Sequence, residues 1–124
     1  EWEKERKTMA RIAVDIDGVL ANKLDGGKYP EDYMKKQPLP YAREGLRKLK
    51  QKGYYVILFT ARFEEDREVT EKWLKEHGFD GLYDELVMGK LQYDVLIDDR
   101  AIRHYNWFST LAQVEALQES GKWF

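Results

Sequence analysis

At 124 residues, with 21 Lys and Arg against 23 Asp and Glu, the chain has a net charge of −2 and reads as one domain without a global field for nucleic acid or an anionic membrane. The absence of cysteine excludes thiolate catalysis, disulfides and cysteine-ligated zinc, and two separated histidines, His77 and His104, do not make a histidine-built metal site. No apolar run approaches the length of a membrane span, and the charged segment Glu1 to Thr8 does not resemble a secretory signal, so a soluble cytoplasmic protein is expected.

Residues 1–8 read as an N-terminal extension or tag remnant ahead of a single domain over 9–124. From Ile12 the chain runs Ile-Ala-Val-Asp-Ile-Asp-Gly-Val, an apolar strand whose carboxyl end carries Asp15 and Asp17 before the turn residue Gly18. Residues 22–40, with Gly26, Gly27, Pro30, Pro38 and Pro40, form a loop or short hairpin. Tyr41 to Lys52 shows helical spacing through Ala42, Gly45, Leu46 and Leu49 and is ended by Gly53.

Tyr54 to Phe59 is an almost wholly apolar strand that ends in Thr60-Ala61-Arg62. Residues 64–77 predict a helix with acids at its positive start, a buried stripe of Val69, Trp73 and Leu74, and Gly78 as its stop. Leu82 to Met88 is a short strand ahead of Gly89-Lys90, and Tyr93 to Ile97 a further strand that runs into Asp98-Asp99-Arg100. The last helix, capped by Ser109, uses Leu111, Val114 and Leu117 and fades at Gly121. Strands alternating with helices imply parallel βαβ units and hence a three-layer α/β/α sandwich with a Rossmann-like sheet.

In a parallel sheet the carboxyl ends of the strands share one edge, where ligands bind. Asp15 and Asp17, Thr60, Lys90, and Asp98 with Asp99 all fall at or just after such ends. Taken alone, Asp15 and Asp17 are equally well read as turn residues. A single phosphate and metal site accounts for all four positions at once.

The chemistry that suits the set is phosphoryl transfer through an enzyme aspartate. Asp15 attacks phosphorus. Asp17, brought to the same side by the two-residue period of a strand, gives a proton to the leaving oxygen and takes one from water. Thr60 and Lys90 bind the phosphoryl oxygens. A hard cation such as Mg2+ is held by the Asp15 carboxylate, the Asp17 backbone carbonyl and Asp98, with Asp99 either a water-mediated ligand or a brace for Lys90.

Val14 to Ala21, Phe59 to Arg62, Lys90, and Leu96 to Arg100 together resemble motifs one to four of the haloacid dehalogenase superfamily, in the family's order and across residues 11–100. The resemblance implies a Rossmann-like fold, magnesium dependence and the residue roles just argued, with Thr60, Ala61, Arg62 and Lys90 on the substrate side. An acid at position 17 is similar to the phosphatase and phosphotransferase branches. Neither gap between motifs has room for a cap domain, so the chain resembles a capless member. Thr60-Ala61-Arg62 and Asp98-Asp99-Arg100 also resemble segments of polynucleotide 3'-end phosphatases and small deoxyribonucleotidases, which makes a nucleotide or polynucleotide substrate the narrower expectation.

Two other classes compete. A phosphoacceptor receiver combines similar residues, but it places its acidic pair on the first strand and its acceptor later, the reverse of this order. A non-catalytic binding domain on the same fold is disfavoured by the presence of Asp15, Asp17, Thr60, Lys90 and Asp98 together. Among the remaining residues, Arg62 is read as a substrate-binding group and Arg100 equally as a ligand or an ion-pair partner. His104 is read as a surface residue and His77 as a complement to a helix end. Tyr29, Tyr33 and Tyr41 pack their loop or stack on a substrate, Trp73 is core, and Trp107, Trp123 and Phe124 are core or interface.

Overall fold

A computed structural model describes residues 10–23 and 30–121. Tyr29, Trp123, Phe124 and the 1–8 extension lie outside the described residues. Strand β1 (Arg11–Val14) is followed by the short helix α1 (Pro30–Tyr33), helix α2 (Ala42–Gln51), strand β2 (Tyr55–Phe59), a 3-10 turn over Glu64–Asp66 that runs into helix α3 (Arg67–Glu76), strand β3 (Glu85–Val87) and helix α4 (Trp107–Ser120). The three strands form one parallel sheet in the order β1-β2-β3, with Ile12 opposite Val56, Val14 opposite Leu58, and Leu58 opposite Leu86. The parallel α/β fold is the one that the alternation of patterns predicts.

Side-chain alternation sorts the sheet into two faces. Val14, Val56, Leu58 and Leu86 point into the core, where they meet Leu46 and Leu49 of α2, Trp73 and Leu74 of α3, Phe79, and Trp107 and Val114 of α4. Fully burying each of these large side chains contributes roughly 1.5–3 kcal/mol. The opposite face carries Ala13, Tyr55, Ile57 and Phe59, exposed or half-buried.

Gly45 lets Trp107 of α4 lie directly against the α2 backbone. A Cβ built on Gly45 would stand 2.3 Å from the Trp107 ring. The Trp107 indole continues past α2 to donate to the Val19 carbonyl at 3.1 Å, so one residue of α4 ties α2 to the turn after β1. The cap of α4 is Asn106, whose side chain accepts the Ser109 N–H at 2.9 Å, and not Ser109 as predicted. A side-chain cap contributes about 1 kcal/mol, and it stands three residues ahead of the N–H that it satisfies.

Strand β3 is shorter than Leu82–Met88 because the chain ahead of it is occupied otherwise. Leu82 closes a turn on Phe79, and the Asp84 carboxylate accepts from the Val56 N–H at 2.8 Å and from Lys50 at 2.5 Å.

The predicted strand Tyr93–Ile97 is absent. The whole stretch from 91 to 100 is exposed, with Leu91 at 80%, Val95 at 76% and Ile97 at 95%. The reason is a tether. The Lys90 N–H donates to the Thr60 carbonyl at 2.9 Å, which holds residue 90 at the carboxyl end of the sheet. A parallel strand must begin at the other end, ~13 Å away for a strand the length of β1, and three residues reach only ~10 Å. The apolar composition of the segment satisfied the pattern without satisfying the geometry.

Candidate active site

The site is built on the turn that ends β1. Gly18, at φ 90°, donates to the Ala21 carbonyl at 2.7 Å, and the Ile16 carbonyl accepts from Val19, Leu20 and Ala21. This tight turn requires a left-handed residue at position 18, which glycine adopts without penalty. The segment before α2 is laced onto the turn by Asn22 to Gln37 and Leu39 to Leu20 bonds and an isolated bridge of Ala21 with Pro38, so the described part of residues 22–40, expected as a loop or short hairpin, is a loop that carries the short helix α1.

Two carboxylates leave the turn into different surroundings. Asp15 is half-exposed, its Oδ1 accepting from the Ile16 N–H at 2.8 Å and its Oδ2 4.0 Å from Lys90 Nζ. Burial pushes its pKa up, and the Lys90 charge only partly offsets the rise. The Lys90 ammonium also lies over the Phe59 and Tyr93 rings, 5.5 and 5.2 Å from their centroids.

Asp17 is clamped. Arg62 donates from Nε to Oδ2 at 3.0 Å and from Nη2 to Oδ1 at 2.7 Å, and Lys36 Nζ donates to the same Oδ1 at 2.6 Å. Burial alone would raise the Asp17 pKa, but the hydrogen bonds and charges of Arg62 and Lys36 outweigh it, and the carboxyl is held below its usual range. Arg62 and Lys36 are themselves only 5% and 4% exposed. Arg62 donates further to Thr70 Oγ1 at 3.0 Å and stacks on Tyr33 at 4.1 Å. Thr60 is fully buried at the end of β2, its Oγ1 accepting from the Arg62 N–H at 3.2 Å, a bond that leaves the hydroxyl hydrogen for another acceptor.

Asp15, Asp17, Thr60, Arg62 and Lys90 are therefore gathered at one edge, with Ala61 between Thr60 and Arg62 in the same bend. Asp98 and Asp99 are not. They sit on the exposed segment, where Asp98 Oδ1 accepts from the Arg100 N–H at 3.0 Å in a local turn. Among the described residues no group of three or more acidic or histidine side chains could hold a metal ion. A magnesium ion takes about six oxygens, several of them from water, and the expected Asp17 donor is its backbone carbonyl, which the pairing of its carboxylate with Arg62 and Lys36 leaves aside. Of the expected magnesium ligands, Asp15 and Asp17 stand together at the end of β1, while Asp98 and Asp99 lie on the exposed segment and complete no such group among the described residues.

Sequence reasoning missed Lys36 and Thr70. Lys36 lies among charged loop residues, and its only signal was nearness to three tyrosines, one of which, Tyr33, is its packing partner. His104 is half-buried against Trp107 and bonds Thr110 Oγ1 at 2.6 Å, away from these groups.

No protein-family model matches the chain, and no curated protein does. Among solved structures, a crystallised target protein from Vibrio cholerae is 30% identical over 92% of this chain and 100% of its own, with a TM-score of 0.66. The two proteins belong to one family. A chain in the Pnkp1/Rnl/Hen1 complex is 29% identical over 70% of this chain, with a TM-score of 0.53. A second structure, of the Pnkp1/Rnl/Hen1 RNA repair complex, is 25% identical over 90%, with a TM-score of 0.54. This chain spans only 31% and 32% of those longer chains, whereas it covers the whole length of its Vibrio family member. No helix among the described residues is long and apolar enough to cross a membrane.

Proposed function

We propose that this chain is a phosphomonoester hydrolase in which Asp15 takes up the phosphoryl group as an aspartyl-phosphate. The observation that carries the reading is the meeting of Asp15 and Lys90 at the carboxyl end of a parallel sheet, with Asp17 two residues from the nucleophile. Burial keeps Asp15 more basic than an ordinary carboxylate, which strengthens it as a nucleophile once ionised. Lys90 and the Thr60 hydroxyl supply positive charge and a donor to the phosphoryl oxygens.

In the first step an Asp15 oxygen forms a bond to phosphorus as the ester P–O bond breaks, and Asp17 protonates the departing oxygen. In the second, Asp17 takes a proton from water as the water oxygen bonds phosphorus and the P–O bond to Asp15 breaks, which restores both groups. As arranged here, Arg62 and Lys36 favour ionised Asp17, the form needed for the second step. The first step therefore needs one of those cations to be drawn off Asp17. Magnesium belongs to this proposal through the haloacid dehalogenase resemblance alone, and no step is routed through it.

The likeness to a chain of the RNA repair complex supports a nucleotide or polynucleotide as the narrower substrate class, and the motif resemblance implies its 3'-phosphate as the group removed. The test is hydrolysis of a generic aryl phosphate by the intact chain and by Asp15→Asn, with and without magnesium. Turnover that Asp15→Asn abolishes is the expected result. An intact chain inert toward every phosphomonoester, or an Asp15→Asn variant with full activity, defeats the proposal.

A further inference from the structure

We propose that Lys36 selects substrates that carry a second anionic group on the leaving portion, an inference that rests on the hydrolase reading above. A buried ammonium is costly unless it is paired. Among the described residues, the hydrogen-bond acceptor of Lys36 is Asp17 Oδ1, and that carboxylate already has a bidentate partner in Arg62. Two buried cations thus share the Asp17 carboxylate, and the buried Asp66 carboxylate, which acts on the Tyr33 phenol, is a second acid beside them. An ammonium has three hydrogens to donate, and Asp17 takes one.

The position is fixed from the backbone outward. The Trp73 indole donates to the Lys36 carbonyl at 2.9 Å, the Lys36 N–H reaches the Tyr33 carbonyl at 3.3 Å, and the Tyr33 ring lies against both Lys36 and Arg62. The nearby Asp66 carboxylate acts on the Tyr33 phenol, whose pKa it raises together with burial. A lysine held this firmly is more than a solvated loop charge.

Its side of the site identifies what it meets. Lys90 stands at Asp15, the group that receives the phosphoryl. Lys36 and Arg62 stand at Asp17, the group that serves the leaving oxygen. A phosphate or phosphodiester next to that oxygen offers acceptors to the two remaining Lys36 hydrogens and draws Lys36 from Asp17, with Arg62 left as the bidentate partner. The shared chemistry is a phosphomonoester with a neighbouring phosphate anion.

Two substrate pairs distinguish the sources: a sugar bisphosphate against its monophosphate, and a 3'-phosphorylated dinucleotide against the 3'-phosphorylated nucleoside. For the intact chain, kcat/KM is expected to favour the two-anion member of at least one pair by about tenfold or more. Lys36→Met is expected to cut that preference to about threefold or less, and Lys36→Arg to restore it. Equal kcat/KM within both pairs, or a preference that survives in Lys36→Met, overturns the inference while leaving the hydrolase reading intact. If neither these four compounds nor the aryl phosphate is hydrolysed, the hydrolase reading fails; whenever the four are not hydrolysed, calorimetric binding of them to the intact chain decides the inference by itself. Tenfold tighter binding of a two-anion member supports it, and equal binding overturns it.

Discussion

Arg62 grips Asp17 through two parallel bonds, Nε to Oδ2 at 3.0 Å and Nη2 to Oδ1 at 2.7 Å, from a side chain that is almost fully buried. The pair ties the end of β2 to the end of β1 and makes Asp17 a structural counter-charge as well as the acid/base of the proposed reaction.

Asp17→Asn is therefore expected to destabilise the fold. It leaves Lys36 and Arg62 buried beside a neutral amide, and breaking a buried pair costs about 3 kcal/mol. Thermal unfolding should show a melting temperature lower by roughly 10 °C. Asp15→Asn removes a carboxylate that burial disfavours, so its melting temperature should stay unchanged or rise. A larger loss in Asp15→Asn than in Asp17→Asn would contradict the clamp.

The same two carboxylates predict a signed dependence on pH. Asp17 is depressed below its ordinary value of 3.8, so its contribution to stability is present above 3.8 and is lost as pH falls through the lower folded value. Asp15 is raised above 3.8, so the folded state holds that proton more readily than the unfolded state and stability declines as pH rises through the interval above 3.8. Denaturant unfolding at stepped pH should show the steep acid loss in the intact chain and not in Asp17→Asn.

Lys90→Met should lower kcat/KM on aryl phosphate by about 100-fold, the scale of losing one oxyanion-stabilising donor. It also removes the charge that partly offsets the upward shift of the Asp15 pKa, so the acid limb of the rate profile should move to higher pH. A fall in rate without that displacement would place Lys90 on the substrate and not on Asp15.

Gly45→Ala should destabilise despite the better helix propensity of alanine. The new methyl would stand 2.3 Å from the Trp107 ring, and overpacking of a core costs about 1–3 kcal/mol. Loss of the native Trp107 near-UV signal together with a lower melting temperature checks it. A rise in melting temperature would show that α4 can withdraw freely.

Most of the sheet and the centre of the site were legible because they rest on local pattern. Apolar runs gave β1 and β2, glycines ended α2 and α3, and Asp15, Asp17, Thr60 and Lys90 each follow a strand end. What was not legible depends on distance in space. Tyr93–Ile97 has strand composition, but whether it can pair depends on where Lys90 is tied, which no local window contains. Asp98 and Asp99 leave the site with it. Lys36 went unnoticed because a loop lysine becomes a buried ion-pair partner only when Trp73, from helix α3, fastens its backbone.

The contact of Trp107 with Gly45 and Val19 has a consequence for how the chain would come apart. The exposed stretch from 91 to 100 gives way at Trp107 to α4, and trypsin could cut after Arg100 or Arg103. Such a cut would sever the peptide without releasing α4, because the indole remains wedged on α2, bonded to the Val19 carbonyl, with Val114 in the core. The nicked protein would behave as two complementing fragments, joined by one tryptophan and the helix that carries it.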